Sequence, residues 1–118
     1  MGKIRIAVPT KSHEGLQASV SKVFGKAETF TIVDVEDGKI KEVQVIDNPA
    51  ASYEYGAGPV AVKTLADHKV DLVVTGQLGP GASNLLKHYD IRQSSVEHST
   101  RVSECVKEAL SRLEANKS

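Results

Sequence analysis

The chain has 118 residues, 40% of them apolar and 25% charged, a size that suits one globular domain with its own core and leaves no room for a second. Its formal net charge is +0, so no basic field concentrates nucleic-acid phosphates or anionic lipid, and neither is expected as a partner. The single cysteine, Cys105, excludes an intramolecular disulfide and any all-thiolate metal site within one chain, and it fits a reducing compartment.

The opening MGKIRIAVPT has too short an apolar run for a signal peptide, and no stretch approaches the ~20 apolar residues of a membrane span, so a cytoplasmic location is expected. Gly2 follows the start methionine, but Ile6 stands where N-myristoylation wants Ser or Thr. Within residues 3 to 8, Ile4, Ile6 and Val8 alternate and predict a first strand, which Pro9, lacking an N–H, should end. The stretch from Thr10 to Glu28 mixes Ser, Gly and Lys with scattered apolar positions and reads as a long loop with room for one helical turn.

Residues 28 to 47 give two β-rich runs joined at Asp37-Gly38, a dipeptide that tolerates the positive φ of a two-residue hairpin turn. Asn48-Pro49 stops the third strand, and Pro59 fits the first turn of a helix over about 58 to 68, where a missing N–H is harmless. The unbroken apolar run of residues 70 to 74 predicts a central strand covered on both faces. GQLGPGASNLLKHYD repeats the plan of glycine turn, proline and helix, with Ala82, Leu85, Leu86 and Tyr89 on one stripe. Polar DIRQSSV reads as an edge strand, and Val102, Cys105, Val106, Ala109, Leu110 and Leu113 as the buried stripe of a last helix. Cys105 is then a small hydrophobe and not a reactive thiol.

This order, β-β-β-α-β-α-β-α, predicts a single α/β domain whose five-stranded mixed sheet runs 3-2-1-4-5. Strand two is antiparallel and three helices flank the sheet, the topology of the ribonuclease H-like folds. In such sheets ligands bind beyond the carboxyl ends of the parallel strands. Residues 9 to 24, 48 to 59 and 75 to 83 should meet there, two of them feeding helix N-termini whose backbone N–H groups suit an anion.

Residues 56 to 61, GAGPVA, match a dinucleotide fingerprint in letters only, because they follow a loop instead of a strand and proline removes a donor. GQLGPGAS lacks the Gly-Lys-Ser/Thr of a nucleotide-binding P-loop, and the first strand lacks the carboxylate that nucleases of this topology need for metal. No Ser, His and Asp constellation announces a nucleophile with its base. His68 and His88 lie near helix ends, where capping explains them; His13 and His98 are the candidate metal ligands.

Read together, KIRIAVPT, SVSKVFGKAETFTIVDVEDGKI, VIDNPAA, YGAGPVAVKTLADHKVDLVVTGQLGPGASNLL and the final helix resemble the dinitrogenase iron-molybdenum cofactor biosynthesis family, which includes the NifX- and NafY-type nitrogenase accessory proteins. The combination of S-x-x-F-G-x-A, G-x-G-P and G-x-x-G-P carries the resemblance over nearly the whole chain. It implies a non-enzymatic protein that binds iron-molybdenum cofactor or another metal-sulfur cluster and delivers it to a protein partner. By the resemblance, Ser21, Phe24 and Gly25 belong to the first binding element, Asn48 and Pro49 to the end of strand three, Tyr55, Gly56, Gly58 and Pro59 to the second loop, and Gly76, Gly79 and Pro80 to the third.

Many members of that family carry histidine where this chain has Val23, and often where it has Tyr53 and Tyr55. Valine cannot coordinate a metal, and tyrosine does so only as phenolate. A sulfide cluster would then rest on backbone N–H groups at the helix N-termini, with Lys11, Lys22 or Lys26 balancing its charge. The alternatives are an interaction or regulatory module of the same fold with no cofactor, and an enzyme acting on a small anionic substrate. A monomer or weak homo-oligomer is expected in each case.

Overall fold

A computed structural model describes residues 2–76, 78–95 and 101–115. β1 (Lys3–Thr10), β2 (Thr29–Glu36), β3 (Lys39–Asp47), β4 (Leu72–Thr75) and β5 (Arg92–Ser95) form one sheet in the order β3-β2-β1-β4-β5. β2 is antiparallel to both its neighbours, while β1, β4 and β5 pair in parallel, as the element order predicts. The helices among the described residues are α1 (Ala57–Asp67), α2 (Pro80–His88) and α3 (Val102–Ala115).

Strand alternation sorts the core into two layers. Ile6, Val8, Val33, Val35, Leu72 and Val74 face α3, where Val102, Cys105, Val106 and Ala109 cover them. Ala7, Phe30, Ile32 and Val73 face the other way, onto Ala61, Val62 and Leu65 of α1 and Leu86 of α2. The buried, unbroken apolar run of β4 thus follows from cover on both faces. Cys105 is fully buried within the α3 layer, as its place in the stripe predicts.

The hairpin turn falls at Asp37-Gly38, both with positive φ (54° and 81°), which matches the right-handed twist of the two strands. Between Asp34 and Val35 the register shifts: Asp34 pairs with Glu42 but Val35 with Ile40, so Lys41 is an extra residue in a bulge.

Two expectations need correction. Pro9 does not end β1; the strand continues to Thr10, with Pro9 opposite Phe30. A strand residue's N and O point to the same side, and the Pro9 carbonyl accepts the Ser21 N–H at 2.8 Å, so its nitrogen faces away from β2 and no ladder bond is lost. Tyr89 is not part of the buried stripe of α2: it lies just beyond the helix, 39% exposed, with its ring edge against His88. The helix ends one residue too early to carry Tyr89 onto the sheet.

Candidate functional site

The loop from Lys11 to Glu28 is tied down along its length. It contains a short 3-10 turn at Gly15–Gln17, and Val20 pairs with Thr10. Ser21 is buried and shapes the next turn, its Oγ accepting from the Val23 N–H and donating to the Val23 carbonyl. Phe24 is buried with its ring tilted against Phe30 at 5.4 Å, which fixes the backbone that follows.

At Gly25 that backbone meets α1. A β-carbon there would lie 3.0 Å from the Gly58 nitrogen and 3.1 Å from its Cα, so only glycine lets the loop and the helix come this close. Asn48, buried at the end of β3, holds the arrangement: its Nδ2 donates to the carbonyls of Gly25 and Ala27, each at 2.9 Å, and its Oδ1 accepts the Ala50 N–H. Gly58 in turn sits beside Ala82 in the first turn of α2. The segments expected to converge therefore do so, at the carboxyl ends of the parallel strands.

Gly56 caps α1 in the left-handed conformation, φ 74°, and Gly79 caps α2 in an extended one. Neither helix start has a side-chain cap or an acidic residue in its first turn. Both positive dipole ends are uncompensated, and the leading N–H groups have no partner within their helices. Between them opens a cleft of about 430 Å³, lined by residues 22 to 26 together with Gly58, Leu78, Gly79 and Ala82. That is enough for a small cluster or anion. Gly76 stands at the bend after β4 that leads toward Gly79.

The candidate residues thus separate by position. Gly25, Gly58 and Gly79 line the cleft with Phe24 at its base, while Ser21 and Asn48 hold its walls without facing it. Tyr53 and Tyr55 stand on the loop before α1, 41% and 87% exposed and outside the cleft lining, while Val23, also exposed, is part of that lining. His13 lies apart from the cleft lining, its Nε2 2.6 Å from Asp47 Oδ1, both side chains well exposed. His98 falls outside the described residues. His68 caps the end of α1, its Nδ1 2.9 Å from the Thr64 carbonyl oxygen, in keeping with a capping role.

Leu78, Ala82 and Thr75 fall within the segment 75 to 83 expected at this end of the sheet, but the sequence singles out none of them as a site residue. Thr75 ends β4, only 2% exposed, and its Oγ1 has no hydrogen-bond partner among the described residues. The one signal was a hydroxyl closing an otherwise apolar strand.

A larger groove, about 550 Å³, lies at the opposite end of the sheet, and its lining balances Lys3, Arg5, Lys41 and Lys69 against Asp34, Glu36, Glu42 and Asp71. Arg5 donates to Asp34 at 2.6 Å and to the His68 carbonyl at 2.7 Å, and its backbone N–H donates to Asp71. The hydrogen bond to Asp34 holds the guanidinium above its ordinary pKa, against the opposing effect of burial. The smaller cleft has Lys22 and Lys26 and no carboxylate in its lining.

Among the described residues no three His, Cys, Asp or Glu side chains are grouped to hold a metal ion. The cleft presents N–H and ammonium donors, and no side chain in its lining coordinates a transition metal. Such a donor set fits an anion gripped by its outer atoms and not a bare cation.

The model of the dinitrogenase iron-molybdenum cofactor family matches residues 2–112. The chain belongs to this family. A fellow chain, an uncharacterized protein of Methanocaldococcus jannaschii, is 29% identical over 104 residues, 88% of this chain and 83% of that one. The apo form of the orange protein of Desulfovibrio gigas superposes with a TM-score of 0.78 at 28% identity, covering 96% of this chain and 88% of that one. A Thermotoga protein named after NifB gives 0.74 at 29% identity, over 92% and 88%. As a member of the iron-molybdenum cofactor family, this chain keeps the three glycine-bearing loops yet has Val23, Tyr53 and Tyr55 where the resemblance leads one to look for histidine.

Proposed function

We propose that the protein is a non-catalytic carrier that holds an anionic metal-sulfur cluster, of the iron-molybdenum cofactor type or a precursor of it, in the cleft between α1 and α2. One observation carries this reading: two uncapped, acid-free helix starts lie side by side with Lys22 and Lys26 at the same opening. Backbone N–H groups of the first turns grip the cluster's sulfur or oxygen atoms, and the lysines balance its charge. Gly25, Gly56, Gly58, Gly76 and Gly79 let the backbone approach, Ser21, Phe24 and Asn48 keep the loops in place, and Tyr55 stands on the loop before α1. Membership of the family supports a cluster as the cargo.

Val23, Tyr53 and Tyr55 favour a second reading. They are 56%, 41% and 87% exposed, apolar and aromatic side chains suited to a protein partner whether or not a cluster is bound. Anaerobic titration with tetrathiomolybdate separates the two. A saturable change in its absorption, with molybdenum co-eluting at a fixed ratio in gel filtration, is expected of a carrier. Absence of both sinks the carrier reading and leaves the interaction module.

A further inference from the structure

A buried hydroxyl with nothing to bond is a liability that a strand easily avoids. β4 reads Leu72, Val73, Val74, Thr75, and valine at the fourth position would fill the same shape without a polar atom to desolvate. Thr75 is nonetheless 2% exposed, and its Oγ1 is unpaired among the described residues, while the other buried threonines, Thr10, Thr29 and Thr31, bond one another. Most buried polar groups in folded chains have a partner, so this exception asks for one.

Strand alternation shows where the partner would come from. Leu72 and Val74 point into the α3 layer and Val73 into the α1 and α2 layer, so Thr75 points to the α1 and α2 side as well. It does so at the carboxyl end of the strand, at the root of the turn that runs through Gly76 and Gly79 into α2. The helix start and the orphaned hydroxyl are separate observations at the same carboxyl end of the sheet, Thr75 standing three residues before Leu78 of the cleft lining and outside that lining itself.

We infer that Thr75 is the buried hydrogen-bond donor of this site: its Oγ1–H, unpaired among the described residues, donates to a sulfur or oxygen atom of the anion seated at the first turn of α2. The inference rests on the carrier reading and adds to it a side chain that grips the cargo. Binding then pairs a group whose desolvation has already been suffered in folding, so the hydroxyl favours the loaded state and gives the empty one nothing.

The test uses Thr75→Val and Thr75→Ser, each titrated anaerobically with tetrathiomolybdate and each melted without it. Thr75→Val is expected to bind on the order of tenfold to a hundredfold more weakly, as loss of a hydrogen bond to a charged group implies, while melting at or above the wild-type temperature. Thr75→Ser should do the reverse, binding within about threefold of wild type but melting lower, because a buried methyl is lost. A merely structural hydroxyl, bridged by water or by the fold, makes Thr75→Val melt lower, and that result overturns the inference. Equal affinity in Thr75→Val also overturns it and leaves the carrier reading standing. No binding by the wild type overturns both.

Discussion

Gly25 and Gly58 touch backbone to backbone, and nothing flexible stands between them. A methyl at Gly25 would press on the Gly58 nitrogen and Cα and on the Ala57 carbonyl carbon, at 3.0, 3.1 and 3.3 Å, so either the loop or the start of α1 must shift. Gly25→Ala is therefore expected to destabilise by about 1–3 kcal/mol, the usual range for overpacking, and to lower the urea midpoint with an unchanged slope. Gly81 is the control from the same cleft end: a β-carbon there meets nothing within 4 Å, and it lies inside α2. Gly81→Ala should raise stability by about 0.5–1 kcal/mol, because alanine loses less entropy on entering a helix. If both substitutions shift the midpoint alike, the close approach of loop and helix does not set the shape of the cleft.

The two helix starts act as a pair, and their charge is what a ligand meets. An aspartate in the first turn of α2 opposes the same dipole end that the cluster would use. Gly81→Asp has room for its side chain and is expected to stabilise the helix by about 0.3–1 kcal/mol while weakening tetrathiomolybdate binding on the order of tenfold, by repulsion between like charges. Neutral Gly81→Asn should leave binding within about threefold of wild type. Unchanged affinity in the aspartate variant removes the helix start from the site. These starts were readable in advance, because glycine followed by proline marks a first helical turn from local chemistry alone. So were the hairpin at Asp37-Gly38 and the central place of β4, which follow from φ preference and from two-sided cover. Pro9 misled because its effect depends on which flank its nitrogen faces, a matter of pairing and not of residue type. The bulge at Lys41 and the lining roles of Leu78 and Ala82 arise from contacts between segments far apart in the chain, and no local pattern encodes them. Thr75 was visible as a letter; only its orphaned state made it a candidate.

A chain of formal net charge +0 has no global attraction for an anion, so any selectivity must come from how its charges are distributed. At one end of the sheet they balance: one groove gathers Lys3, Arg5, Lys41 and Lys69 with Asp34, Glu36, Glu42 and Asp71, and Arg5 is held by Asp34, Asp71 and the His68 carbonyl. At the other end Lys22 and Lys26 line the cleft, and no carboxylate stands among its lining residues. The molecule is thus neutral as a whole and positive at one opening, where the helix dipoles point the same way. Two lysines near a dianion should make binding sensitive to salt, since the screening length falls from about 10 Å at 0.1 M to about 3 Å at 1 M. Affinity for tetrathiomolybdate is expected to drop several-fold over that range in the wild type. Lys22→Ala with Lys26→Ala should weaken low-salt binding by about tenfold and flatten the salt dependence, with stability within about 0.5 kcal/mol of wild type, as befits surface positions. Lys3→Ala with Lys41→Ala, at the end where acidic and basic residues share one groove, should change neither. If the two double variants lose affinity equally, the anion is held by a diffuse surface field, and the cleft between α1 and α2 is not where it sits.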